Sequence, residues 1–279
     1  MINESRFGSL PVRLTIAVLV VVGSISATAN AHYHILMPAK HSIKAGEKVA
    51  IVYQFGHPFE HQIFDAEPPT RAVVISPTGK AKDVLAELEK IEVPGDGGKK
   101  VRAFRFTFQP VERGDYTILF QAPPIWMEDE KHFLKDTAQV VIHVEAQKGW
   151  DRRHGDARDF AMVPVTRPYG LRAGMVFQVQ AGHQAPAPAH LVEFERYNAV
   201  APTALPPDEH ITLTVKTDPN GIATSTLPDP GWWAVTAVRQ GFVDQRGPTK
   251  QRDGKTYPMV ERATLWVYVE DKVAAKPAE

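Results

Sequence analysis

The chain has 279 residues, with 32 basic and 32 acidic side chains, 11 histidines and no cysteine. So even a charge balance argues against nucleic acid as the partner, because that contact needs a basic surface to displace counterions. Without cysteine there are no disulfides, no thiolate chemistry and no cysteine zinc site, so any metal must be held by His, carboxylate, Met sulfur or backbone nitrogen.

At the amino terminus, Arg6 and Arg13 precede an apolar stretch from Leu14 to Val22 that ends in small residues, the layout of a secretory signal peptide. A membrane-spanning helix needs about 20 continuous apolar residues, whereas Gly23, Ser24, Ser26 and Thr28 dilute this run. Two cleavage sites fit the small-x-small rule. Ala29-Asn30-Ala31 would release a chain starting at His32, the preferred reading, and Ala27-Thr28-Ala29 one starting at Asn30. The expectation is a periplasmic or cell-surface protein with no later transmembrane segment. Loss of Glu4, Arg6 and Arg13 with residues 1–31 leaves 30 basic and 31 acidic residues. The mature chain is long enough for two domains of about 100 residues, each with its own core.

Period-two alternation dominates that chain. Phe104, Phe106 and Phe108 alternate with Arg105 and Thr107, and Val140, Ile142 and Val144 are spaced the same way, as expected of half-buried strands. Lys48 to Phe55, Ala72 to Ser76 and Tyr116 to Gln121 are further strand candidates, and a seven-strand sandwich fits their spacing. Lys82 to Lys90 is the one helical candidate, since Val84, Leu85 and Leu88 share a face. Gln147 to Arg158 is charged and poor in apolar residues, which predicts a linker. Strands resume at Met175 to Ala181, Leu191 to Tyr197, Ile211 to Thr217, Trp232 to Arg239 and Ala263 to Glu270. Asp218-Pro219-Asn220-Gly221 is a turn by its chemistry, and a hairpin is expected to close there. The predicted fold is all-β: a signal peptide over 1–31, a sandwich over 32–146, a linker over 147–160, a second sandwich over 161–272 and a tail over 273–279.

The strongest chemical signal is His32-Tyr33-His34. In an extended segment residues i and i+2 point the same way, about 6.8 Å apart, so both imidazoles can face one ion. Cleavage after Ala31 would place an α-amine beside the His32 imidazole, and the two can chelate together. An α-amine titrates near 7.7–8.0 and an imidazole near 6.5, so both donors are available near neutrality. Cleavage after Ala29 would instead give Asn30-Ala31-His32, whose amine, amide nitrogens and imidazole suit Cu(II) or Ni(II). A second cluster, Gly56-His57-Pro58-Phe59-Glu60-His61 followed by Asp65, is expected to form a loop. There His57 and His61 are ligand candidates, Glu60 and Asp65 are oxygen donors, and the competing reading is a solvated polar loop. His132, His143, His154, His183, His190 and His210 read as ordinary surface or loop residues, and Met37 as core.

Enzyme signatures are poor. Ser42, Ser76 and Ser225 are the mature chain's serines and none sits in Gly-x-Ser-x-Gly. Gly95 to Lys100 lacks the glycine spacing of a phosphate loop and reads as a hairpin turn. Trp232-Trp233 could form a sugar platform, although a buried pair opening a strand is the commoner outcome.

Several segments resemble a known family. They are Pro164-Val165-Thr166-Arg167-Pro168-Tyr169-Gly170-Leu171-Arg172-Ala173-Gly174, Val192-Glu193-Phe194-Glu195-Arg196-Tyr197-Asn198, Thr217-Asp218-Pro219-Asn220-Gly221 and Pro230-Gly231-Trp232-Trp233. Together with the Ala-His-x-His start and Gly56 to His61, they look like the exported domain-of-unknown-function family associated with nickel and cobalt uptake. The resemblance implies a periplasmic accessory of an energy-coupling-factor-type transporter whose membrane subunits would be partners. The second half is also similar to transthyretin-like carboxypeptidase regulatory modules, and the expected fold is two immunoglobulin-like or transthyretin-like β-sandwich modules. The combined expectation is a non-catalytic protein that binds Ni(II) or Co(II), with Cu(II) as a further candidate, through His32, His34, His57 and His61. Its rivals are a copper-dependent oxidase with an amino-terminal histidine chelate and a surface or carbohydrate-binding module whose histidines are incidental.

Overall fold

The computed structural model describes residues 32–128, 131–152, 160–182, 186–239 and 249–272. The leader, His154, His183 and the tail lie outside the described residues. In chain order the strands are β1 (Tyr33–Pro38), β2 (Ser42–Ile43), β3 (Val49–His57), β4 (Gln62–Phe64), β5 (Arg71–Ile75), β6 (Ala81–Asp83) and β7 (Glu89–Pro94). Next come β8 (Lys100–Phe108), β9 (Gly114–Gln121), β10 (Ile125–Met127), β11 (His132–Val144), β12 (Ala161–Pro164), β13 (Leu171–Arg172) and β14 (Met175–Gly182). The last are β15 (Leu191–Arg196), β16 (Leu213–Lys216), β17 (Ile222–Leu227), β18 (Gly231–Arg239), β19 (Thr249–Arg252) and β20 (Lys255–Glu270). The all-β expectation holds, and no described helix is long and apolar enough to cross a membrane.

Three sheets make two sandwiches that share a wall. The shared sheet runs β16-β15-β18-β20-β11-β9-β5-β6, its middle formed by the parallel pairing of Phe133–Val140 with Met259–Trp266. A smaller sheet, β1-β3-β8-β7, encloses the first core with β5, β9 and β11, and β12-β14-β17 encloses the second with β15, β18 and β20. The two small sheets lie on opposite faces. On β20, Ala263, Leu265, Val267 and Val269 point into the second core, while Trp266, one residue out of phase, joins the first. β11 and the second half of β20 are buried on both sides along most of their length, so Val140–Val144 is fully rather than half buried apart from His143.

Several expectations need correction. Lys82 to Lys90 is not an α-helix: β6 ends at Asp83, a single 3₁₀ turn spans Leu85–Glu87, and β7 begins at Glu89. Val84 alone of the three apolar residues is fully buried, so there is no apolar face wide enough to hold a helix down. The Asp218 turn forms, with Gly221 N–H donating to the Asp218 carbonyl at 2.9 Å. It closes no hairpin, because β16 belongs to the shared sheet and β17 to the three-stranded one. His57 is no loop residue but the last residue of β3, and His132 opens β11 as a buried side chain.

The seam between the sandwiches is polar. Val192 and Phe194 of β15 enter the second core, so Glu193 and Glu195 face the other way and lie under the first sandwich. Glu195 is fully buried; it accepts from the Phe59 N–H at 3.3 Å and the Thr212 hydroxyl at 3.2 Å. Burial, reinforced by the Glu60 charge, pushes its carboxyl up to about 8. Asn198 continues the contact, donating to the Phe59 carbonyl at 2.6 Å from its side chain and to the Pro58 carbonyl at 3.0 Å from its backbone.

Two predictions follow from this packing. Gly56 sits where a Cβ would lie 2.0 Å from the Gln62 carbonyl oxygen. Gly56→Ala must therefore part β3 from β4, and it should lower stability by about 1–3 kcal/mol in urea unfolding. The second concerns Glu195. Below about pH 4.5 its carboxyl is protonated in both folded and unfolded chains, but up to about 8 only the folded chain keeps the proton. Wild-type stability should thus decline across that window relative to Glu195→Gln, whose amide stays neutral. Urea midpoints at pH 5 and pH 8 check this, and parallel behaviour of the two proteins would contradict it.

Candidate metal centre

β1 pairs antiparallel with β3 from Tyr33↔Gly56 to Pro38↔Ile51. Continuing that register by one residue sets His32 opposite His57, so the two histidine clusters meet through strand pairing. Their ring centroids lie 4.2 Å apart in an edge-on arrangement, with 70° between the planes. Two imidazoles sharing one ion at about 2.0–2.1 Å per bond have centroids about 4.5–6.5 Å apart.

Aromatic rings frame the pair. Phe55 stacks on His32 at 5.4 Å, and Phe64 lies 5.6 Å from His32 and 5.5 Å from His57. The Nε2 atom of His57 is buried and lacks a hydrogen-bond partner. A buried polar atom left unpaired costs about 1–3 kcal/mol, and His34 Nε2 is buried in the same state.

The other two sequence candidates are placed differently. His34 is 2 % exposed, with Nδ1 2.7 Å from the Tyr53 hydroxyl and Nε2 3.8 Å from Asp136 Oδ2. Burial lowers its pKa to about 4, outweighing the opposing pull of the Asp136 charge, so the ring is neutral at neutral pH. His61 adopts φ 56° in the turn between β3 and β4, and its ring packs 5.9 Å from Tyr197. Its Nδ1 is also buried and unpartnered. Among the described residues no group of three or more His, Asp or Glu side chains is gathered closely enough to hold a metal ion. Of the four candidate histidines, only His32 and His57 have their rings against one another.

Sequence reasoning missed the residues that hold this pair. Tyr33 OH lies 3.4 Å from Glu193 Oε2 with the Arg262 guanidinium 5.0 Å above its ring, and Arg262 also donates to the His32 carbonyl. Trp266 Nε1 donates to the His34 carbonyl at 3.2 Å. Of the remaining histidines, His143 Nδ1 lies 2.7 Å from Asp115 under a stacked Tyr169 ring, and His190 Nδ1 lies 3.1 Å from the Pro188 carbonyl. Trp233 is buried with its N–H on the Asp229 carbonyl, and Met37 packs against the first core.

No curated relative matches the sequence. Among solved structures, a DUF4785 family protein from Legionella pneumophila is 9% identical over 82% of this chain and 55% of its own, with a TM-score of 0.28. Escherichia coli alpha-2-macroglobulin is 14% identical over 86% of this chain and 20% of its own, with a TM-score of 0.25. The Bacillus cereus major pilin subunit BcpA variant is 10% identical over 86% of this chain and 66% of its own, with a TM-score of 0.19. The chain thus spans about half the length of the first of these and about a fifth of the second. Likeness at this level carries no functional argument. A family model, by contrast, matches residues 29–241, most of the chain, and the protein belongs to the domain of unknown function family DUF4198.

Proposed function

We propose that the mature chain is a non-catalytic, periplasmic binder of one divalent transition-metal ion, with Ni(II) or Co(II) as cargo for an uptake system. The reading rests on one observation: two imidazoles 4.2 Å apart, one with its Nε2 buried and unpartnered. Leader cleavage after Ala31 would add the α-amine of His32, completing an amine and two-imidazole set. The amine and Nδ1 of His32 would bind as a chelate, while His57 would complete the set from the neighbouring strand.

Such a set carries no charge of its own and no sulfur, which suits borderline ions and leaves calcium and magnesium without the oxygen ligands they require. Its intrinsic order would favour Cu(II) over Ni(II) and Co(II), so selectivity in the cell would come from supply. The aromatic rings of Phe55 and Phe64 limit water on one side of the pair and hold the imidazoles in place.

Calorimetric titration of the mature protein with Ni(II) checks the assignment. His57→Ala should weaken binding by more than about 100-fold, beyond the loss typical of a residue that only orients a ligand. His61→Ala should leave affinity within about threefold, since its ring sits against Tyr197 rather than His32. Unchanged affinity in His57→Ala would remove the site.

The same nitrogen set gives a copper oxidase as the second reading. Copper-loaded protein supplied with ascorbate distinguishes them: the binding reading expects oxygen uptake no faster than for free copper, whereas His57-dependent uptake would establish the enzyme.

A further inference from the structure

We propose that Arg262, seated on Asp136, is the residue that positions the amino-terminal chelate; this rests on the metal-binding reading above. The ladder between β1 and β3 starts at Tyr33, one residue after the chelating histidine. The His32 carbonyl instead receives the Nη2 of Arg262 from the second sandwich.

That guanidinium is itself fixed. Arg262 and Asp136 are register partners across the β11–β20 seam. They form a forked pair, Nε to Oδ1 at 2.7 Å and Nη2 to Oδ2 at 2.5 Å, with side chains 7 % and 5 % exposed. A planar fork held on both oxygens has little freedom left, and the Tyr33 ring beneath it removes more. Holding the His32 carbonyl sets the plane of the His32–Tyr33 peptide and with it the position of the Cα–C bond, about which the amine and the imidazole turn together. Both donors must turn towards His57 together, and the clamp leaves that turn a single backbone torsion before any ion arrives. Asp136 has a second effect: it neutralises a guanidinium that would otherwise repel an approaching cation in a poorly solvated site.

The test removes the clamp without leaving a buried charge. Replacing both members of a buried ion pair with apolar residues is often neutral or stabilising, so the double variant R262M/D136L keeps the wall of the seam. Three readouts are needed: the urea midpoint, Cu(II) affinity by competition, and the nitrogen couplings in the EPR spectrum of the copper-loaded protein. The expected result is a folded protein whose Cu(II) affinity falls about 10–100-fold and whose spectrum loses the amine coupling while keeping imidazole couplings. Should the double variant not fold, R262K serves, because the lysine stem ends short of the Nη2 position and its ammonium lacks the planar fork that holds both Asp136 oxygens and the His32 carbonyl in one geometry; the same spectral change is expected. A folded variant with wild-type affinity and an unaltered spectrum overturns the positioning role. If affinity stays dependent on His57 but indifferent to Arg262, only this inference fails. If the wild-type protein binds no Cu(II), or His57→Ala binds as well as wild type, the metal reading fails and this one with it.

Discussion

The antiparallel register of β1 on β3 governs the candidate site. Side chains on paired strands meet only in fixed partners, and a slip of one residue would turn every one of them to the opposite face. With Tyr33 on Gly56, His32 falls opposite His57. Gly56, the partner of Tyr33 in that register, also lets β4 close over the end of β3, with the Gln62 carbonyl where a Cβ would otherwise lie. Burial of Tyr33 and Ile35 against Ile51 and Tyr53 in one core makes a slip of β1 expensive, since both would have to leave it.

The second sandwich does more than space the first from its surroundings. Its outward face supplies a row of polar groups that would sit in water in an isolated module: Glu193, Glu195, Arg262 and the N–H of Trp266. Here they take up the carbonyls of His32 and His34, the Tyr33 hydroxyl and the Phe59 amide. The strand and the turn that carry the two histidine clusters are therefore anchored on the same wall. A neutral Glu195 fits this position, where a carboxylate would stand against Glu60 without water.

Much of the fold was legible in the sequence. Alternation in Phe104–Phe108 and the β-branched runs at Val140–Val144 marked strands correctly, and turn chemistry marked Asp218–Gly221. What failed was local inference about elements whose state is decided from outside. Val84, Leu85 and Leu88 have helical spacing, but only Val84 finds a core to enter. Val192-Glu193-Phe194-Glu195 alternates as a strand does, but nothing local shows that its polar face is covered by the first sandwich. The same holds for the site: the residue types of His32 and His57 were visible, but the pairing that joins them depends on register. Arg262 and Asp136 are 126 positions apart, with no local pattern to connect them.

X-ray absorption of the Ni(II)-loaded mature protein tests the central claim most directly, because imidazole rings leave a multiple-scattering signature at the metal. The account predicts a light-atom shell with the scattering of two imidazoles, reduced to one in His57→Ala. A shell without imidazole scattering, or one unaffected by loss of His57, would contradict it.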